Sequence, residues 1–159
     1  MNEYYKNLPR KRMASGALFF ESQKMDKVLI VKPTYKNYWE IPGGVVEAEE
    51  SPLQACIREC EEELGIVLGT GIKLSSVDYV SDTDGKGDRI MYIFNGGVLD
   101  EASVKKIILQ EKELSEFCFV DVSEAEKLLG DRLKKRVPNT MEAIRNGQCV
   151  YMEGGEVVG

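Results

Sequence analysis

The sequence predicts an α/β protein in which helices pack on a mixed β-sheet. Three observations lead there. Short strand-like segments are interrupted by a few helical ones along the chain. Two of them, Lys73–Val80 and Arg89–Val98, alternate in polarity and are joined by the polar turn Ser81–Asp88, as an antiparallel pair requires. One segment, Ser51–Leu64, has the start and stop signals of a helix. Strands mixed with helices in this way give a layered sheet covered by helices.

Taken in order, Ala14–Phe20 reads as a strand and Lys27–Val31 as a second, short and apolar on both sides. Tyr38–Ile41 is a third extended piece, ended by Pro42-Gly43-Gly44. In the helix that follows, Ser51 caps and Pro52 suits the first helical position, where its missing N–H costs nothing. Gln54 completes a capping box with Ser51, and Gly65 stands where a left-handed residue ends a helix. After the antiparallel pair, Phe117–Val122 is another strand. Ser123–Leu129 and Leu133–Arg145 read as helices, with Pro138 interrupting the second or marking its true start. Cys149–Met152 closes the chain as a short strand. No repeat, linker or composition break divides residues 1–159, so one domain is expected.

Composition narrows the function. With 43% hydrophobic and 30% charged residues, this is an ordinary globular composition. No run approaches the roughly 20 apolar residues that cross a bilayer, and Met1–Arg12 lacks the apolar stretch of a secretion signal. A cytoplasmic protein without a membrane partner is expected. Cys56, Cys60, Cys118 and Cys149 form no C-x-x-C spacing and read as reduced, partly buried thiols. There is no histidine, which removes Ser-His-Asp and Cys-His catalysis and histidine-ligated zinc. A metal would have to be held by oxygen ligands or scattered thiolates, and hard oxygen ligands favour Mg²⁺, Mn²⁺ or Ca²⁺. A net charge of −6 opposes stable nucleic-acid binding. It leaves room for a small phosphorylated substrate, because a bound divalent ion reverses the sign locally.

The chemistry concentrates on the helix Ser51–Leu64. At about 100° per residue, Leu53, Cys56, Ile57, Cys60 and Leu64 form an apolar stripe. Glu59, Glu62 and Glu63 cluster on a different face, and Glu61 points away into solvent. Each close pair of carboxylates costs roughly 0.2–0.5 kcal/mol on an exposed helix, and the helix dipole disfavours negative charge near the C-terminal end. Helix stability does not ask for this placement; a divalent cation with oxygen ligands would relieve it. From the helix alone, a plain acidic surface face remains the alternative.

The surroundings favour the cation. From Gly44 the chain reads G-x5-E-x7-R-E-C-E-E-E-L-G-I. This resembles the Nudix box, G-x5-E-x7-R-E-U-x-E-E-x-G-U with U apolar. Gly44, Glu50, Arg58, Glu59, Glu62, Glu63, Gly65 and Ile66 fall on it, and Cys60 at the first U position is the one soft departure. The strand before Trp39-Glu40-Ile41-Pro42-Gly43-Gly44 and the late segment Phe117–Val122 resemble the flanks of such domains, so the likeness covers nearly the whole chain.

The resemblance implies an α/β/α sandwich with a mixed sheet, and a hydrolase that splits a diphosphate linkage by attack of a metal-activated water on phosphorus. It assigns Mg²⁺, with Mn²⁺ as a substitute, to Glu59, Glu63 and Glu62, helped by a backbone carbonyl at Gly43 or Gly44. Arg58 and Glu50 are read as a structural pair that fixes the loop and orients Glu59. The proton acceptor stays open. Glu59 is the choice within the box, Glu62 shares the catalytic helix, and Glu113 lies just before the Phe117 strand, with Glu111 and Glu116 as rivals. The expected substrate is a nucleoside diphosphate derivative or a nucleoside triphosphate. Tyr38 and Trp39, with Tyr35, are candidates for stacking a base, and Arg89, Lys32 or Lys36 for meeting phosphates.

Two other features read as structural. Asp82–Asp88 fails as a calcium loop, because Lys86 and Ile93 stand where ligands are needed, and is expected to be a polar turn near the site mouth. Arg132, Lys134, Lys135 and Arg136 read as a solvated helix face. A nucleotide sensor, which would usually show damage in the box where here every acidic position is present, and a magnesium-dependent isomerase are the rival functions. The isomerase ranks lower because no cysteine–glutamate pair is evident, and a homodimer is left open.

Overall fold

The apolar run in β1 (Arg12–Phe20) is explained by what lies on its two sides. Ala17, Leu18, Phe19 and Phe20 are all fully buried, as are Val28, Leu29 and Ile30 of β2 (Val28–Pro33). Successive side chains on a strand point to opposite faces, and here each face is covered. Leu18, Phe20, Val28 and Ile30 pack into one apolar cluster. Ala17, Phe19, Leu29 and Val31 pack into another. A sheet buried on both faces needs apolar residues at every position, which is how these strands read.

The computed structural model describes residues 1–158. After a short helix α1 (Glu3–Lys6), β1 and β2, the chain forms β3 (Gly43–Val45), α2 (Pro52–Leu64), β4 (Leu74–Val80), β5 (Arg89–Val98) and α3 (Glu101–Lys105). It continues through β6 (Leu114–Val120), α4 (Val122–Leu128), α5 (Leu133–Arg145), β7 (Val150–Glu153) and β8 (Glu156–Val157). The sheet order is β6-β2-β1-β5-β4-β7-β8, with β3 added to β1. β1–β5 and β4–β7 are parallel and the other pairs antiparallel, so the sheet is mixed. Helix α2 supplies Cys56, Cys60 and Leu64 to one cluster, whereas α4 and α5 supply Ala125, Val137, Met141 and Ile144 to the other. The result is the expected α/β/α sandwich. No helix among the described residues is long and apolar enough to cross a membrane.

Several expectations are corrected. Tyr38–Ile41 is not a regular strand: Glu40 makes an isolated bridge to Val31, and Trp39 another to Leu129. The strand is Gly43–Val45 itself, paired with Ala14–Gly16. Glycines allow this close approach, since a Cβ on Gly16 would come within 2.5 Å of the Pro42 carbonyl oxygen and one on Gly43 would strike the Ser15 carbonyl. The late strand begins at Leu114 and ends at Val120, because Asp121 caps α4 by accepting the Glu124 N–H. Pro138 neither interrupts nor starts α5, which runs from Leu133 through to Arg145. The proline leaves the Lys134 carbonyl without its helical donor. Burial of Val137, Met141 and Ile144 outweighs that loss at roughly 1.5–3 kcal/mol for each large apolar side chain.

Arg136 is not on a solvated face. It is 3% exposed and donates from Nε to Asp78 Oδ2 at 2.6 Å, while the Gly155 N–H donates to Asp78 Oδ1 at 3.0 Å. This buried pair ties α5 to β4 and to the β7–β8 turn. Arg132 and Lys135 are exposed as expected, paired with Asp84 and Glu156. Cys56 and Cys60 are buried free thiols, Cys118 is half-buried, and Cys149 is exposed.

Candidate active site

Helix α2 starts and stops as its sequence dictates. Ser51 accepts the Gln54 N–H, Gln54 returns the bond to the Ser51 N–H, and Gly65 closes the helix at φ 70°. Ser15 Oγ donates to the Pro52 carbonyl at 2.6 Å and fastens the helix start to β1. The helix therefore meets the sheet at the level of β3, with Glu63 against Gly43 and Glu59 under Gly44.

The three glutamates have different surroundings. Glu63 is 5% exposed. It lies seven residues after Cys56, which at 100° per residue returns it to within about 20° of that buried thiol. The expectation of one acidic face apart from the apolar stripe is corrected accordingly: Glu63 sits on the edge of the stripe. Its Oε1 accepts the Gly43 N–H at 2.9 Å. Burial, together with the charges of Glu59, Glu113 and Glu40, pushes its carboxyl up to about 8 against the pull of that N–H. Glu59 is half-buried, and its carboxyl is raised first by burial and then by Glu62 and Glu113, against the pull of Arg58. Glu62 and Glu61 are exposed.

Arg58 organises the outer half of the site. It grips Glu50 with two bonds, Nε to Oε2 at 2.7 Å and Nη2 to Oε1 at 3.0 Å, and Nη2 also donates to the Val45 carbonyl at 3.1 Å. Its Nη1 reaches Glu59 at 2.9 Å and Glu62 at 3.2 Å. The guanidinium holds the Glu50 carboxyl down at about 2, helped by the Glu47 N–H. The loop before α2 is thereby tied to the helix, and Glu59 is oriented from outside. Among the described residues no three acidic or thiol side chains form a ready-made cation cage. Arg58 binds Glu59 and Glu62 from the outer side, while Glu63 accepts the Gly43 N–H.

Gly44 lies directly over Glu59, where an added Cβ would strike the carboxylate. The backbone at Gly44 is not in the left-handed region, so alanine fits the chain but not the site. We expect Gly44→Ala to melt within a few degrees of the wild type and to lose about a hundredfold of the hydrolysis that the resemblance to the box implies, the usual cost of displacing a reacting group by ~1 Å. Parallel melting curves and initial rates measure both.

Beyond Gly43 and Gly44 opens a cleft of about 740 Å³. Its walls carry eight basic side chains against three acidic ones, a local excess of positive charge in a chain of net charge −6. Tyr38 lines it, 43% exposed, with Lys36 Nζ 5.4 Å from its ring centre. Arg89 also lines it. Trp39 does not: it packs against the α4–α5 cluster, and its N–H donates to the Leu128 carbonyl. Tyr35 is 67% exposed outside the cleft, and Lys32 Nζ is used by the carbonyls of Pro33 and Lys36. Of the three loop acids, Glu113 is the one whose charge is felt at both Glu59 and Glu63. The sequence reading missed Glu40, which acts on Glu63 from the segment leading to Gly43, and Arg12, which lines the cleft from β1. Glu40 could have been found from its place beside Pro42-Gly43-Gly44; Arg12 gave no local signal.

The fold, the capped glutamate helix and the glycine pair above it define a class. Residues 10–140 match the family model described as NUDIX domain. The chain belongs to the NUDIX domain family. It is 31% identical over 81 residues to the m7GpppN-mRNA hydrolase of Saccharomyces cerevisiae, covering 51% of this chain and 7% of that protein. It is 43% identical over 58 residues to diphosphoinositol polyphosphate phosphohydrolase 3-alpha of Homo sapiens, covering 36% of this chain and 34% of that one. The matched segments are thus only a small part of these relatives. The crystal structure of a UDP-X diphosphatase superposes with a TM-score of 0.69 at 18% identity, over 94% of this chain and 70% of the other.

Proposed function

We propose that this domain, residues 1–159, is a hydrolase that cleaves the diphosphate linkage of a nucleoside diphosphate derivative or a nucleoside triphosphate, with Mg²⁺ as cofactor and Mn²⁺ as a substitute. One observation carries the reading. Glu63 is a buried carboxyl beside Glu59, Glu113 and Glu40, with a single backbone N–H to offset them. Its ionised form is costly unless paired, so in the chain alone the carboxyl keeps its proton to higher pH, and a bound cation would take that proton's place. The donor set is all oxygen, which suits a hard divalent ion.

In this reading Glu59 and Glu63 hold the ion with Glu62 and a carbonyl at Gly43 or Gly44. Bound there, it would neutralise the diphosphate oxygens and make a water more acidic. The chain does the rest. Glu59 takes the proton from the attacking water, and Glu113 is the second candidate for that task. Arg58, anchored on Glu50, keeps Glu59 turned toward Gly44. The cleft holds the group beyond the diphosphate, with Tyr38 beside it. The relatives support the reaction class, being named hydrolase, phosphohydrolase and diphosphatase.

The test is a panel of nucleoside diphosphate derivatives and nucleoside triphosphates, followed by chromatography with Mg²⁺ and with chelator. Consumption of at least one compound only with the ion is the expected result. Binding without consumption would identify a sensor, and cleavage of non-nucleotide diphosphates alone would remove the nucleotide from the proposal.

A further inference from the structure

The floor of the cleft changes character along its length. Paired residues of parallel strands share a face, so Arg12, Ala14 and Gly16 of β1 stand beside Arg89, Met91 and Ile93 of β5, and all six line the cleft. Gly16 pairs with Gly43 and marks the glutamate end. Arg12 pairs with Arg89 four residues back along the strand, about 13 Å away at ~3.3 Å per residue.

At that far end Arg89 is 8% exposed. Its Nη2 is buried with no hydrogen-bond partner among the described residues. Its ion-pair contact is Asp84, 3.9 Å from Nη1 and beyond hydrogen-bond reach. A buried charged donor left unpaired costs more than a neutral one, so this orphan asks for an anion. The same Asp84 carboxylate accepts from Arg132 Nη2 at 3.2 Å. Two guanidinium groups therefore converge on one carboxylate carried by the polar turn between β4 and β5, and Lys86 of that turn lines the cleft as well. A phosphate monoester carries more charge and more acceptor oxygens than a carboxylate, and it matches the fork of an arginine.

We propose that Arg89 and Arg132 form a second anion subsite that recognises a phosphate monoester on the substrate, remote from the scissile diphosphate. Asp84 holds the place until that phosphate displaces it. The substrate class is then a small diphosphate compound with an additional phosphate ester reaching the Arg89 end of the cleft. The cleft volume of about 740 Å³ suits a small molecule, and the net charge of −6 opposes a polynucleotide. Only the identity of the near end rests on the diphosphate-hydrolase reading.

The test is calorimetric titration of inorganic phosphate into the full chain in excess chelator, at constant ionic strength with chloride as control. Arg89→Gln and Arg132→Ala should each weaken phosphate binding about tenfold or more, the loss expected for a charge-assisted hydrogen bond. Arg132 is exposed, so its variant keeps the test valid should the Arg89 variant fold poorly. Asp84→Asn should bind phosphate more tightly than the wild type, an effect a merely structural Asp84 would not give. Glu59→Gln should bind it as the wild type does. No binding by the wild type, equal binding by the wild type and Arg132→Ala, or loss of binding in Glu59→Gln would each overturn the subsite. Preference for a 5′-phosphorylated oligonucleotide over a mononucleotide 5′-monophosphate would overturn the small-molecule assignment. Phosphate binding that survives while neither nucleotide nor non-nucleotide diphosphates are hydrolysed would sink the catalytic reading and leave the subsite standing.

Discussion

Glu59→Gln should lose about a thousandfold in turnover, at the middle of the range for removing a positioned proton acceptor, while melting at or slightly above the wild-type temperature. The two halves of this expectation have separate causes. The amide keeps the shape of the carboxylate beneath Gly44 but neither takes a proton nor carries the charge that a cation needs. Stability is spared because Glu59 is half-buried next to Glu62 and Glu113, and both charges oppose its ionisation. Losing the charge of the Arg58–Glu59 pair costs little, because the amide oxygen still accepts and Arg58 keeps its two bonds to Glu50 and its bond to the Val45 carbonyl. Steady-state kinetics beside a melting curve decide the matter. Wild-type turnover in a folded variant would take the helix out of the chemistry.

What could be read in the sequence was what is locally coded. The limits of α2 follow from Ser51, Pro52, Gln54 and Gly65, each acting within one turn of itself, and the structure reproduces them. β5 and α5 also have the expected bounds. The misreadings arise where a distant segment overrides a local rule. Pro138 ends helices by itself, yet α5 continues because Val137 and Met141 are clamped on the sheet. Arg136 sits in a basic run that looks solvated, and only the arrival of Asp78 from β4 buries it. Gly43 and Gly44 read as the end of the extended Tyr38–Ile41 piece until β1 offers them a partner. Within the site, Glu63 was misplaced for a different reason. Its spacing to Glu59 places it with the acids, whereas its seven-residue return to Cys56 places it at the edge of the buried stripe. The position of Arg89 at the far end of the cleft depends on the parallel register between β1 and β5, which nothing local in either strand encodes.

Glu63 gives the second large effect, a dependence of stability on pH that a divalent ion should reverse. Burial, with the charges of Glu59, Glu113 and Glu40, pushes its carboxyl up to about 8 in the fold from 4.5 ordinarily. Between those values the folded chain holds a proton that the unfolded chain has released, so stability falls as pH rises through this window. The contribution is absent below about pH 4.5 and complete above pH 8. Glu59, raised by its own burial, acts in the same direction. Glu50, held at about 2 by Arg58, changes only in more acidic solution and leaves the window clear. In chelator, the melting temperature should drop by about 10 °C between pH 5 and pH 8.5, corresponding to ~3 kcal/mol in a chain of this size. Mg²⁺ needs the ionised carboxylate, so it should raise the melting temperature at pH 8.5 and do little at pH 5. Glu63→Gln should flatten most of the slope and most of the response to the ion together. A flat profile in chelator would mean that Glu63 is well solvated. Equal stabilisation by Mg²⁺ at both pH values would mean that the ion binds elsewhere, because at this carboxyl the proton and the cation compete for the same oxygens.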